Sequence, residues 1–227
     1  MTTRVEHPGR VRVGRWGIVL IGLALAFLPT WAPPLIDAVG LTVSIGVEGP
    51  ASSILWNAAA VTLLLAYVLL VERRDLASIR IVRPTGKDLE WALILFGCHM
   101  GFTWLARTLW PPPADAGTAT IAAMPVLLVL ALILSAAVFE EILYRGYPLE
   151  RLTELTRHRW IAVALTLPVF VAPHLVFFGP EWLLYQGSGT AVLYILFLWR
   201  RSLVANMLLH ACVNLPILIP TIASRLG

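Results

Sequence analysis

Glu140 and Glu141 stand side by side just past a long apolar run, Ile121 to Val138, that carries no charge. A charge in or beside a lipid-spanning helix is costly, so it is normally paired or lines a polar cavity. On a helix Glu141 and Arg145 are four apart, on one face and in the better order for an ion pair. Glu140 points about 100° away round the helix, at about 3.6 residues per turn. The arginine is therefore expected to hold Glu141 ionised and leave Glu140 free to exchange a proton. Two later apolar stretches carry groups that can work with it. His174 closes Phe170-Val171-Ala172-Pro173-His174, and His210 and Asn214 lie four apart in His210-Ala211-Cys212-Val213-Asn214, sharing a helix face. Acids, imidazoles and an amide are the materials of general acid–base catalysis and of oxyanion stabilisation. Glu140, His174 and His210 would also make the protein part of a catalytic zinc site with one open position, although there is no His-Glu-x-x-His motif.

The elements that must position these residues are membrane helices. Hydrophobic residues make up 59% of the 227-residue chain and charged residues only 13%, with a mean hydropathy of +0.81. Several apolar runs reach the ~20 residues of helix that cross a bilayer. The sequence predicts about seven spans: 16–36, 54–71, 89–109, a fourth from near Thr120 that carries the glutamates, 160–178, 182–199 and 203–222. Basic residues before the first span and the small-residue site Thr30-Trp31-Ala32 would also suit a signal peptide. Pro33 is a poor start for a mature chain, so that span is read as retained. Glu150, Arg151, Glu154 and Arg157 are read as a solvated continuation of the fourth helix. Cys98 and Cys212 lie in apolar runs and are read as small buried residues, not a disulfide.

The net charge of +4 does not point to nucleic acid, because the charges sit in the gaps between apolar runs. With the N-terminus cytoplasmic, fifteen of the seventeen basic residues fall on inner segments and only Arg107 and Arg225 outside, as the positive-inside rule requires. The C-terminus is then outside. The whole chain, 1–227, reads as one integral-membrane domain of all-α, polytopic class, with a catalytic core over about 121–222. A single lysine, Lys87, among the basic residues hints at a GC-rich bacterial source, and so at a bacterial inner membrane. At a rise of about 1.5 Å per residue, His210 lies roughly 14 Å from Arg201 and Glu140 about 15 Å from Arg151. His174 comes out near 20 Å from Trp160 by the same rise. Three helices thus bring the candidate groups to the inner half of the membrane.

Glu-Glu-x-x-x-Arg, then Phe-x-x-x-His, then His-x-x-x-Asn, in that order on successive hydrophobic helices, resembles the CPBP family. These are the CAAX-protease and bacteriocin-processing (Abi) intramembrane proteases related to the prenyl-protein protease Rce1. The resemblance covers about Val138 to Asn214. It implies hydrolysis of a peptide bond in a membrane-associated protein or peptide: a prenylated C-terminus, a leader peptide or a C-terminal sorting tail. By the same resemblance the catalytic residues are Glu140, Glu141, His174, His210 and Asn214: Glu140 with His174 activates water, His210 with Asn214 stabilises the oxyanion and Glu141 orients groups at the site, with Arg145 and Phe170 in support. No metal is favoured, with Zn2+ on Glu140, His174 and His210 as the alternative. Partners are a membrane-anchored substrate and the bilayer.

Plainer readings stand beside these. The glutamates and Arg145 would suit an interfacial helix end, and His174 a hydrogen-bonded packing histidine. His210 with Asn214 would suit polar glue between helices, and His99, with no motif around it, reads as packing. Arg107 reads as an interface anchor. The rival function is a non-enzymatic membrane protein, a bacteriocin-immunity or assembly scaffold on the same fold.

Overall fold

The computed structural model describes residues 14–40 and 49–226, and every regular element among them is helical. Arg4, Arg10 and Arg12 of the basic tally, and Glu48 of the first loop, lie outside the described residues. The chain forms α1 (Arg15–Ala26), α2 (Leu28–Ala38), α3 (Ser52–Ala66), α4 (Gly86–Leu109), α5 (Ala116–Ala122) and α6 (Val126–Glu140). It continues with α7 (Tyr147–Thr156), α8 (Arg159–Phe178), α9 (Trp182–Tyr185), α10 (Gly187–Arg200), α11 (Leu203–Asn214) and α12 (Leu218–Leu226).

Five helical stretches are long and apolar enough to cross a membrane: Gly49–Val71, Gly86–Leu109, Val126–Thr156, Arg159–Phe178 and Leu203–Arg225. The first expected span is a pair, α1 and α2, bent by 72°, which makes six if counted as one crossing. The bend follows from Pro29 in the first turn of α2, with Pro33 and Pro34 further along. The expected span 182–199 differs more. It is split at Gln186 into α9 and α10, and the 14 residues of α10 rise only about 21 Å, short of a hydrocarbon core of ~30 Å. Even so, α9 and α10 together run antiparallel along the whole of α4. The Tyr185 hydroxyl donates to the Trp110 carbonyl at one end (2.7 Å) and Arg200 pairs with Asp88 at the other (2.7 Å). The fourth helix does not begin near Thr120 either. Pro125 ends the separate α5 segment and stands at the N-cap of α6.

The glutamate helix is continuous from Val126 to Thr156, but not uniformly α. Glu141–Gly146 forms a π turn, closed where the Tyr147 N–H bonds to the Ile142 carbonyl five residues back. The cause lies two residues on. Pro148 has no N–H to give the Tyr144 carbonyl, and its ring would clash with that carbonyl in regular α geometry. A wider turn absorbs both defects.

Two close approaches set the helix spacing. A Cβ on Gly22 would lie 1.7 Å from the Tyr147 hydroxyl, so α1 packs directly on the start of α7. A Cβ on Gly189 would lie 2.8 Å from Val213 and 3.2 Å from His99. The polar Gly187-Ser188-Gly189 stretch thereby brings α10 against α4 and α11. There His99 Nδ1 meets the Ser188 hydroxyl at 2.8 Å, in line with a packing role. Cys98 does not follow the expected burial: it is exposed on α4, turned away from the bundle. Cys212 is half-buried, and both cysteines are free.

The expected solvated continuation past Arg145 is instead a buried charge network. Glu150 and Arg151 are buried. Arg151 binds Glu72 through Nε and Nη2 (2.9 and 2.6 Å), and Nη1 and Nη2 reach the Ser78 carbonyl and hydroxyl. The Tyr147 hydroxyl donates to the same Glu72 (2.8 Å). Glu150 takes Arg80 and Arg201, and Glu154 takes both terminal nitrogens of Arg74. The reason is positional: the turn at Leu76–Ile79 folds over α7 and covers its charged face. The network gathers the segment after α3, α7 itself and the link between α10 and α11 at one end of the bundle. Glu72→Ala should leave Arg151 charged and buried without its close acid partner, with only the longer 3.4 Å contact to Glu154 remaining. A loss of about 3–5 kcal/mol is expected, read as a lowered unfolding midpoint of the detergent-solubilised chain.

Candidate active site

Four helical segments converge on the Glu141 carboxylate, which has no solvent exposure, as has Arg145. Oε1 accepts from Arg145 Nη1 at 2.6 Å and from His210 Nδ1 at 2.7 Å, and Oε2 accepts from Asn206 Nδ2. The Arg145 guanidinium is held between two rings, 4.4 Å from the Phe170 centroid on α8 and 4.8 Å from Tyr194 on α10. Tyr194 is fixed in turn by a 3.2 Å contact of its hydroxyl with Thr166. Charge pairing, cation–π contact and three donors together offset the cost of burying this carboxylate. Arg145, counted among the inner-segment charges by sequence, thus belongs to the interior of the bundle.

Glu140 behaves differently. Its side chain is 17% exposed, and among the described residues its carboxylate makes no direct hydrogen bond. The His210 Nε2 nitrogen lies 3.9 Å from Glu140 Oε2. With Nδ1 committed to Glu141, Nε2 is the histidine nitrogen left to face Glu140 and anything bound beside it. His210 therefore touches both acids, one through each ring nitrogen.

His174 is oriented by its own helix. Nδ1 donates to the Phe170 carbonyl one turn back (2.8 Å), which leaves Nε2 as the free nitrogen. Its ring packs at a tilt against Phe170 and Trp182, both 4.7 Å away by centroid. Pro173 does not break α8, which runs unbroken to Phe178. Asn214, one turn past His210 at the end of α11, is half-buried, and among the described residues its amide makes no hydrogen bond. Tyr144 closes the opposite side: its ring lies edge-on to Phe170 at 5.3 Å, and its hydroxyl meets Thr30 of α2 at 2.9 Å.

Two features were not found from the motifs. Asn206 was passed over, although it lies four residues before His210 and so on the same face. The commitment of His210 Nδ1 to Glu141 could not be read from spacing. Among the described residues no group of three His, Cys, Asp or Glu is placed to hold a metal ion, while His174 and His210 each commit Nδ1 and keep Nε2 free.

The geometry separates the two acids by what removing each charge would do. Glu141→Gln should strand Arg145 as a buried unpaired cation and cost about 3–5 kcal/mol. Glu140→Gln removes a charge that makes no direct hydrogen bond among the described residues, with only the 3.9 Å approach of His210 Nε2, and should leave the unfolding midpoint close to that of the wild type. Thermal unfolding of both variants in one detergent checks the contrast; equal destabilisation would contradict it.

Residues 122–216 match the family model described as Rce1-like, type II CAAX prenyl endopeptidase. The match bears out the resemblance carried by the three motifs, and it spans Glu140 through Asn214. No curated protein and no solved structure matches the chain. The Rce1-like match points to CAAX-type intramembrane endopeptidase activity, and a protease of this family acts on a membrane-anchored substrate in a bilayer. Several apolar helices and the same match make this an integral membrane protein.

Proposed function

We propose that the chain is an intramembrane endopeptidase that hydrolyses a peptide bond near the membrane-anchored C-terminus of a protein or peptide, without a metal ion. The observation that carries this reading is the asymmetry of the two glutamates. Glu141 is saturated by Arg145, His210 and Asn206, while adjacent Glu140 is unbonded and faces His210 Nε2.

In this mechanism Glu140 takes a proton from water, with His174 Nε2 as the second group orienting that water. The hydroxide oxygen attacks the scissile carbonyl carbon. The resulting oxyanion is met by His210 Nε2–H and by the Asn214 amide, the two donors aligned on one face of α11. Such donors act strongly where water is excluded. Collapse of the tetrahedral intermediate breaks the C–N bond, and Glu140 returns its proton to the departing amine. The proton left on the new carboxylic acid passes to the amine, so the products are a carboxylate and an ammonium group.

The remaining assignments are proposals of the same kind. The whole chain acts as one domain, with α1 to α4 packed against the matched core. It sits in a bacterial inner membrane with the charge network of Glu72, Glu150 and Arg151 on the cytoplasmic side. The buried pairing of segments 72–80, 150–154 and 200–201 supports a common side for them. With the buried Arg145 set aside, fourteen basic residues against two in the sequence tally support calling that side the inner one.

The test is cleavage in proteoliposomes of a membrane-anchored reporter ending in a prenylated CAAX sequence. Glu140→Gln should lower kcat by roughly 10²- to 10⁴-fold, the usual worth of a general base, with the unfolding midpoint retained. Cleavage by that variant at the wild-type rate would overturn the assigned role. Activity should also survive a strong chelator, and loss with recovery on zinc add-back would replace the metal-free reading.

A further inference from the structure

Asn206 is fully buried on α11, one turn before His210 and two before Asn214. Its Nδ2 donates to Glu141 Oε2, and its Oδ1 has no partner among the described residues. The orientation of the amide is forced, because the flipped form would set an amide oxygen against a carboxylate oxygen. The contact therefore leaves a carbonyl buried and unbonded, which costs about 1–3 kcal/mol. A leucine of similar size would avoid that cost and still fill the space between α11 and α6. An unsatisfied buried group in a folded protein calls for a reason.

We propose that Asn206 is a positioning residue for the reaction, acting through Glu141 on His210; this rests on the protease reading above. The Glu141 carboxylate has two oxygens, and Arg145 and His210 both bind the same one, Oε1. Without a donor on Oε2 the carboxylate is free to turn about its terminal torsion, which has broad wells. Any such turn moves the acceptor away from His210 Nδ1. Asn206 pins Oε2, so Oε1 stays where it must be to hold His210 with Nε2 toward Glu140. The same contact completes the saturation of Glu141 and keeps it out of proton exchange. Charged and titratable groups around the contact are Glu140, Glu141, Tyr144 and Arg145 on the glutamate helix, His210 on α11, His174 on α8 and Tyr194 on α10. None of these donates to Oε2.

The experiment uses the full chain in proteoliposomes with the prenylated reporter, comparing wild type, Asn206→Leu and Asn206→Ser. Asn206→Leu should lower kcat by about 10- to 100-fold, the range found for outer partners that orient a reacting group. KM should change little, and the pH profile of kcat should move. Asn206→Ser retains an O–H donor with shorter reach and should fall between the other two; it also serves as the working variant if the leucine form does not fold. Histidine ring ¹⁵N spectra supply a readout that needs no activity. The His210 Nδ1–H signal should shift in Asn206→Leu while that of His174 stays in place. A variant with lowered unfolding midpoint but unchanged kcat, pH profile and His210 signal would show helix packing only and overturn the proposal. If the wild type cleaves nothing yet His210 responds to Asn206→Leu, the positioning contact stands and the protease reading falls.

Discussion

The Glu141–Arg145 ion pair is the constraint from which the rest of the bundle follows. Two fully desolvated charges are tolerable only with close geometry and further partners. The chain supplies those partners from every neighbouring element: Phe170 from α8, Tyr194 from α10, and Asn206 and His210 from α11. Helices that have little hydrophobic reason to associate in lipid are thus held in one register by a polar centre. Each partner is itself fixed, as Tyr194 is by Thr166.

The other end of the bundle solves a related problem. Four arginines, at positions 73, 80, 157 and 201, adopt left-handed backbone conformations, where glycine would be the unstrained choice. Three of them cap helical segments: the turn at Leu76–Ile79, α7 and α10. Arg80 and Arg201 then converge on Glu150, and the Arg80 carbonyl accepts the N–H of Leu203 at the start of α11. The side chain thus supplies in ion pairing what the backbone conformation costs. This ties the entry of α11, and with it Asn206 and His210, to the glutamate helix.

Much of this was legible in the sequence, because charge inside an apolar run is hard to miss and i, i+4 spacing fixes the face. The order Glu140-Glu141-Arg145, Phe170-His174, His210-Asn214 carried the resemblance that the Rce1-like model also finds over residues 122–216, and the apolar runs pointed to an all-α membrane fold. What escaped depends on neighbours distant in the chain. Burial of Glu150 and Arg151 requires the link between α3 and α4 to fold over them. The short α10 reads as a full span by hydropathy, and only the structure shows its helix starting at Gly187. The π turn had a local signal in Pro148, three residues past Arg145. Asn206 had one too, its i, i+4 relation to His210, but a lone buried amide means little until its acceptor is known.

The π turn also explains how two adjacent acids come to do different work. Residues on a regular helix already diverge by about 100° per position, which separates Glu140 from Glu141. Widening the next turn lets Arg145 lie back over Glu141 while its guanidinium enters the slot between Phe170 and Tyr194. Proline two residues later makes that widening the low-energy choice, so the distinction is built into the backbone and not left to the side chains. Glu141 then takes every strong donor within reach. His210 is left turned so that its second nitrogen faces the one acid that has none. A single imidazole bridging a saturated carboxylate and an unsaturated one keeps the reactive acid positioned without hydrogen-bonding it directly, which is what a base that must accept a proton from water needs.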